Sequence, residues 1–184
     1  VYDNRCRTLG LDAQNHATRL ALHDQIDAVT FEDQIMGHIS QNIHSAVGDF
    51  IIQRRDKLFS YQLAVTVDDA FQGVTRVVRG TDLLDSTARQ IYMQQCLGYK
   101  KPSYAHVPIA VTKDGQKLSK QNLATGLPPG NESFNLWVAL DWLKQSPPNY
   151  LSALAPAEVI SWATENWDQS KLPATLTVPA PDGF

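Results

Sequence analysis

The segment from Phe50 to Val111 constrains the fold most, because short apolar runs alternate in it with stretches of helical periodicity. Apolar runs at Phe50–Ile52 and Ala105–Val111 are typical of strands, and Val74–Val78 is predicted as a further strand between them. An order of strand, helix, strand, helix, strand predicts a parallel sheet with crossover helices. The sequence therefore predicts an α/β fold for this part of the chain.

The first of the two helices is predicted over Tyr61–Phe71. Its period alone leaves two structures open, because Leu63–Val67 would also be acceptable as a strand. Ser60 before the segment can cap a helix, and Gly73 after it can end one. These two flanking residues favour the helix.

The second helix is expected to start with Ser86 as its cap and to end at Gly98. Apolar side chains recur along it at helical spacing. They are Ala88, Ile91, Tyr92 and Cys96. We therefore predict that Cys96 belongs to the core.

Composition narrows the class of protein. The chain has 184 residues, of which 43% are hydrophobic and 19% charged, as in soluble globular domains. A net charge of −3 gives no indication of nucleic acid, although local basic patches matter more than the total. Two cysteines do not form a disulfide framework, which makes a reducing cytoplasm the expected setting. There is no apolar run of membrane-spanning length.

A loop over Thr112–Asn122 follows the last predicted strand. Lys117 and Lys120 flank a Leu-Ser pair there, just after an Asp-Gly turn. Lysine is a point charge on a flexible stem, and two of them can offset the charge that builds up on a phosphoryl group. A bare Lys-x-x-Lys is also typical of a solvated basic turn, so the loop by itself leaves both interpretations open.

Four blocks in order make a family resemblance clear. Lys117–Gln121 resembles the second signature of class I aminoacyl-tRNA synthetases, usually quoted as KMSKS. Asp49–Asp56, Tyr61–Asp69 and Val77–Leu83 resemble the catalytic domain of the glutamyl branch. The variant KLSKQN, with the short tail after it, is most similar to the glutamyl-queuosine tRNA(Asp) synthetases.

The resemblance implies an activity and its partners. The intact enzyme would activate L-glutamate with ATP, accompanied by Mg²⁺, and transfer it to the queuosine base in the anticodon of tRNA(Asp). No membrane or DNA partner is implied. Lys117 and Lys120 would be catalytic. The implied ATP-binding residues are Lys117, Leu118, Ser119, Lys120 and Gln121.

Arg79 and Tyr61 are the candidate glutamate-binding residues. Arg79 lies where a predicted strand meets a glycine, and its planar guanidinium can pair with a carboxylate through two parallel hydrogen bonds. Pairing with Asp82 or Asp69 in a structural role is the alternative. Tyr61 offers a hydroxyl group and a ring. The resemblance implies that both residues contact the substrate.

The resemblance also implies that Tyr2 and Cys6, four residues apart, complete a zinc site begun by two earlier cysteines. Structural zinc takes four closed ligands, and two seldom suffice. The alternative is a free cysteine near the terminus.

Three regions are expected along the chain. Residues 1–48 would be the β-rich remainder of a zinc- and tRNA-contacting insertion. Residues 49–126 would form the second half of a Rossmann-type catalytic domain, including the KLSKQ loop. Residues 127–184 would form a helical subdomain, with one helix through Phe134 and Trp142 and another from Pro156, followed by an irregular end from Pro173.

The chain does not begin with methionine and lacks the first signature of the family. We therefore expect a C-terminal fragment of a larger enzyme, inactive alone. Two alternatives remain: a fragment of a standard glutamyl-tRNA synthetase, and a non-catalytic tRNA-binding module. Two features count against the standard enzyme. One is Gln121 after the second lysine, and the other is the short tail after Asn122.

Overall fold

The computed structural model describes residues 2–3, 5–12, 14–23, 28–119, 126–127 and 129–181. Its contacts divide the chain into two compact units, one of residues 1–79 and 83–105, the other of residues 80–82 and 106–184. This division does not follow the three regions expected from the sequence, whose boundaries remain a prediction about functional segments.

Eight strands and five α-helices are found in the described residues. The strands are β1 (Thr18–Leu20), β2 (Val29–Asp33), β3 (Gly37–Gln41), β4 (Phe50–Gln53), β5 (Arg76–Gly80), β6 (Ser103–Val107), β7 (Ile109–Val111) and β8 (Thr177–Pro179). The helices are α1 (Ile43–Ala46), α2 (Tyr61–Phe71), α3 (Leu84–Leu97), α4 (Glu132–Trp142) and α5 (Pro156–Asn166). None of these helices is long and apolar enough to cross a membrane.

The main sheet is mixed, with strand order β3-β2-β6-β5. Strand β2 pairs antiparallel with β3 and parallel with β6. The α/β class predicted from the sequence is confirmed, but the predicted parallel sheet through Phe50–Ile52 is wrong. Strand β4 instead pairs antiparallel with β1 in a sheet of two strands.

The strand predicted over Ala105–Val111 is divided in two. Pro108 lies between β6 and β7, where it lacks the amide hydrogen that a continuous strand requires. Strand β7 pairs parallel with β8, which lies in the tail that was expected to be irregular. That expectation is wrong for Thr177–Pro179.

Helix α2 confirms the prediction for Tyr61–Phe71. The Ser60 hydroxyl accepts a hydrogen bond from the amide of Leu63 at 3.3 Å, as an N-cap does. Gly73 after the helix has a φ of 69°, in the left-handed region that favours glycine.

Helix α3 differs from its prediction in its first residue and in the burial of Cys96. It begins at Leu84, and Ser86 is buried inside its first turn, where its hydroxyl accepts a hydrogen bond from Gln62 at 2.9 Å. Gly98 ends the helix as predicted, with a φ of 69°. Cys96 is exposed, because the last turn extends past the core residues of the helix, so its predicted burial is wrong.

Each unit has its own core. In the first unit, buried side chains of α3 pack with those of the strands, among them Ile91, Tyr92, Phe31 and Tyr104. In the second unit, Leu140, Leu151 and Val159 form a smaller cluster between α4 and α5. Both C-terminal helices were predicted, and Pro156 is the first residue of α5.

Candidate functional site

Strand β5 carries Arg79 in the first unit. The Arg79 Nη2 donates a hydrogen bond to Oγ1 of Thr87 at 2.9 Å, and Thr87 is fully buried in α3. The guanidinium carbon lies 5.7 Å from the ring centroid of Tyr104, a cation–π distance. Helix α3 and strand β6 therefore fix the direction of this guanidinium.

The charge of Asp69 in α2 acts on the same guanidinium. Burial raises the pKa of Asp69, while the positive charge of Arg79 works in the opposite direction. Asp69, one of the two acidic residues predicted as alternative partners of Arg79, therefore lies close enough to interact with its charge. Asp82 instead forms an ion pair with Lys117.

Tyr61 is the first residue of α2, and 52% of its surface is exposed. The two residues predicted to bind glutamate thus lie in the same unit, one at the start of α2 and the other near the end of β5. Tyr61 is therefore accessible on the surface of the first unit.

In the second unit, the segment before the signature lysines is a paired hairpin. The amide of Thr112 donates to the carbonyl of Gln116 at 2.8 Å, and Gly115 between them has a φ of 78°. Lys117 then bridges antiparallel to Val111, and the amide of Leu118 donates to the carbonyl of Ala110 at 2.9 Å. Lys117 and Leu118 are therefore held against β7 by backbone hydrogen bonds.

The side chain of Lys117 is held as well. Its Nζ lies 2.5 Å from Oδ2 of Asp82. Asp82 belongs to a short 3₁₀ turn that follows β5. Thr81, next in the chain to Asp82, is buried and donates its hydroxyl to the carbonyl of Leu176. A Cβ on Gly80 would lie 2.5 Å from Oδ1 of Asp82, so glycine is needed for this placement of the carboxylate.

The structure describes the Lys117–Gln121 segment as far as Ser119. Leu118 lines an apolar cavity of about 210 Å³ together with residues of α4 such as Val138 and Trp142. Lys120 and Gln121, predicted to contact ATP, lie outside the described residues. Their roles stay predictions.

Tyr2 and Cys6, the predicted zinc ligands, are neighbours in the first unit. The Tyr2 hydroxyl accepts a hydrogen bond from the amide of Cys6 at 2.8 Å, and the guanidinium of Arg19 lies 4.0 Å from the Tyr2 ring centroid. Desolvation and a side-chain hydrogen bond with Cys6 raise the pKa of Tyr2, which works against its ionisation, while the bond from the Cys6 amide acts in the opposite direction. The described residues hold no group of three or more histidine, cysteine or acidic side chains suited to a metal. The assignment of Tyr2 and Cys6 as zinc ligands stays a prediction.

Sequence reasoning missed two partners in this geometry. Thr87 holds Arg79, and Asp82 holds Lys117 from a position 35 residues earlier in the chain. Asp82 was considered only as a partner of Arg79. No local pattern links it to Lys117, because the pairing depends on how the chain folds back.

A family described as the catalytic domain of class I tRNA synthetases (E and Q) matches residues 4–127. The chain belongs to this family. The class I synthetase family predicted from the sequence is thereby confirmed, while the signature assignment of Lys117–Gln121 stays a prediction.

Relatives named glutamyl-Q tRNA(Asp) synthetase match nearly all of the chain. The protein from Thiobacillus denitrificans is 45% identical over 98% of this chain and 60% of its own length. The one from Pseudomonas aeruginosa is 42% identical over 97% of this chain and 60% of its own length. The chain therefore spans about 60% of the length of these curated relatives.

A solved structure supports the fold. The glutamate-tRNA synthetase from Elizabethkingia anophelis superimposes with a TM-score of 0.61, over 82% of this chain and 34% of that one. Its sequence is 24% identical, so the likeness concerns the fold alone.

Proposed function

We propose that the protein to which this chain belongs activates L-glutamate with ATP and transfers it to the queuosine base of tRNA(Asp). One observation carries the proposal: relatives named for this activity match 97–98% of the chain at 42–45% identity. The KLSKQ segment, resembling the family's second signature, supports the ATP-dependent step.

In this proposal the signature segment binds ATP. Lys117 and Lys120 stabilise the negative charge that builds up as pyrophosphate leaves, and Leu118, Ser119 and Gln121 complete the contacts. Mg²⁺ accompanies the nucleotide. What supports the role of Lys117 is its placement on a hairpin whose backbone is fixed at both Thr112 and Leu118.

Arg79 and Tyr61 bind glutamate in this proposal. A guanidinium carries five N–H donors in a fixed fork, and the bond to Thr87 sets the direction of that fork. A carboxylate substrate gains a charged pair there, whereas the neutral amide of glutamine does not. This charge difference would provide the discrimination between the two amino acids.

Zinc is proposed for the intact protein only, with Tyr2 and Cys6 as two of its ligands. The close approach of the Tyr2 hydroxyl to the Cys6 amide is consistent with a shared site. Metal analysis of the intact protein checks this. Cys6→Ser should lower the zinc content, and unchanged zinc would remove Cys6 from the site.

The activation step is tested by the exchange of labelled pyrophosphate into ATP with the intact protein and no RNA. Glutamate should support exchange, whereas glutamine and aspartate should not. If no amino acid supports exchange, with or without RNA, the protein is a tRNA-binding module instead. If exchange appears only when tRNA(Glu) is added, the standard synthetase is favoured.

A further inference from the structure

Strand β4 leads directly into a tight hairpin turn in the first unit. The amide of Arg54 donates to the carbonyl of Leu58 at 2.8 Å, and the amide of Ser60 donates to the carbonyl of Ile52 at 2.9 Å. Phe59 bridges antiparallel to Gln53. We call residues Gln53–Phe59 the β4 turn; its shape is fixed by these bonds.

The surface of the β4 turn combines positive charge with exposed apolar side chains. Leu58 is 60% exposed and Phe59 64% exposed. Arg54, Arg55 and Lys57 are all exposed, and the one acidic residue, Asp56, pairs with Arg54 at 2.7 Å. The turn is thus a basic patch in a chain whose net charge is −3. Proteins that bind single-stranded nucleic acid combine cations with exposed aromatic side chains in this way.

Lys57 has a backbone conformation that lysine rarely adopts. Its φ of 69° lies in the left-handed region, which glycine enters at no steric cost. A glycine would therefore form this turn more easily. Lysine at this position instead adds a positive charge to the turn.

Single-stranded RNA is the partner that this combination fits. Its phosphates need cations along a groove, and its unstacked bases need an aromatic side chain with an exposed face. Arg54, Arg55 and Asp56 line a shallow, open depression beside the turn, which leaves the charged side chains accessible to a phosphate backbone. An acidic peptide would satisfy the cations but gives Phe59 no base to stack on.

We propose that the β4 turn binds a single-stranded loop of the acceptor RNA. Arg55 and Lys57 pair with phosphates, and a base stacks on Phe59. The identity of that RNA, the anticodon arm of tRNA(Asp), rests on the proposed function. The contact itself rests on the charge and exposure of the turn.

The stacking contact is tested by the fluorescence anisotropy of a labelled RNA stem-loop with the sequence of the tRNA(Asp) anticodon arm, titrated with the intact protein. Phe59→Leu should weaken binding at least about fivefold, the lower end of what one stacked base contributes. Phe59→Tyr keeps an aromatic face and should bind within about twofold of the wild type.

The charge contact has a matched control elsewhere in the chain. Lys144 is also an exposed lysine in the left-handed region, with a φ of 63°, and it lies in the second unit. Lys57→Gly should leave the protein at least as stable but weaken RNA binding and reduce its salt dependence, by about 0.7 in the log–log slope for one lost phosphate contact. Lys144→Gly should leave both binding and slope unchanged.

Three results would overturn the proposal. One is wild-type affinity in both Phe59→Leu and Lys57→Gly. Another is a lower unfolding temperature in Phe59→Leu with unchanged RNA affinity, which would show that Phe59 packs against the rest of the intact protein. The third is equal competition by poly-glutamate against RNA in the wild type and in Phe59→Leu, which would show a charge-only surface.

Pyrophosphate exchange distinguishes a failure of the proposed function from a failure of the RNA contact. Glutamate-dependent pyrophosphate exchange without RNA should be unchanged in Phe59→Leu and Lys57→Gly. If the wild type shows no exchange yet binds the stem-loop through Phe59, the activity is wrong and the RNA contact stands. If exchange is normal and the variants bind as the wild type, the RNA contact is wrong and the activity stands.

Discussion

The ammonium group of Lys117 and the carboxylate of Asp82 are 2.5 Å apart, although 35 residues separate them in the chain. Their side chains are 47% and 33% exposed, and ion pairs with such exposure contribute about 0–1 kcal/mol to stability. The pair therefore matters less for folding than for where the first lysine of the signature lies.

Asp82→Asn should lower the rate of glutamate-dependent exchange several-fold, because Lys117 loses the charge that fixes its position. The free energy of unfolding should change by less than about 1 kcal/mol. Asp82→Glu should restore part of the rate. Asp114→Asn, the same change in the neighbouring turn, is the control and should have no effect. Equal rates in Asp82→Asn and the wild type would remove Asp82 from the mechanism.

Gly80→Ala should disturb the ion pair between Lys117 and Asp82, because the added methyl group would collide with the Asp82 carboxylate. The added Cβ would lie 2.5 Å from Oδ1 of Asp82 and 3.0 Å from Cγ2 of Ile109, so the carboxylate has to move. Because the Asp82 carboxylate ends a partly exposed side chain that can move, we expect slower exchange with a change of less than about 1 kcal/mol in the free energy of unfolding, measured in urea. Gly126→Ala, where a Cβ meets nothing within 4 Å, is the matched control. A wild-type exchange rate for Gly80→Ala would contradict this geometry.

Arg79→Lys should raise the KM for glutamate steeply and leave the KM for ATP near its wild-type value. An ammonium cannot make the bidentate pair with a carboxylate, even though it keeps the charge. Arg76→Lys, an exposed arginine on the same strand, serves as the control. An equal loss for both substrates would indicate a structural role for Arg79 instead.

Lys120→Ala tests the second lysine of the signature. If it stabilises the charge of the leaving pyrophosphate, exchange should fall by about a hundredfold or more, while the KM values change less. Lys113→Ala, in the preceding turn, should retain the wild-type rate. Normal exchange in Lys120→Ala would take this residue out of the chemistry.

Elements whose ends are set by local chemistry could be predicted from the sequence. Ser60 and Gly73 define the ends of α2, and each acts within a few residues of its own position. Pro156 likewise marks the first residue of α5. Caps, left-handed glycines and first-turn prolines need no knowledge of the rest of the fold.

Features that depend on distant partners could not be predicted in the same way. Ser86 does not cap α3, because the helix already begins at Leu84, and the Ser86 hydroxyl instead accepts a hydrogen bond from Gln62 of α2. Asp82 pairs with Lys117 because the fold brings together two residues that are 35 positions apart in the chain. The break at Pro108 is different, since a proline inside a predicted strand already argues against continuity.

The most direct test of the proposed glutamate transfer identifies the RNA that accepts the glutamate. The intact protein is incubated with ATP, radiolabelled glutamate, and tRNA(Asp) with or without the queuosine modification. We predict that label appears only on the modified tRNA and survives removal of the 3′-terminal adenosine. Label on tRNA(Glu), or its loss with that adenosine, would contradict the account and favour a standard glutamyl-tRNA synthetase.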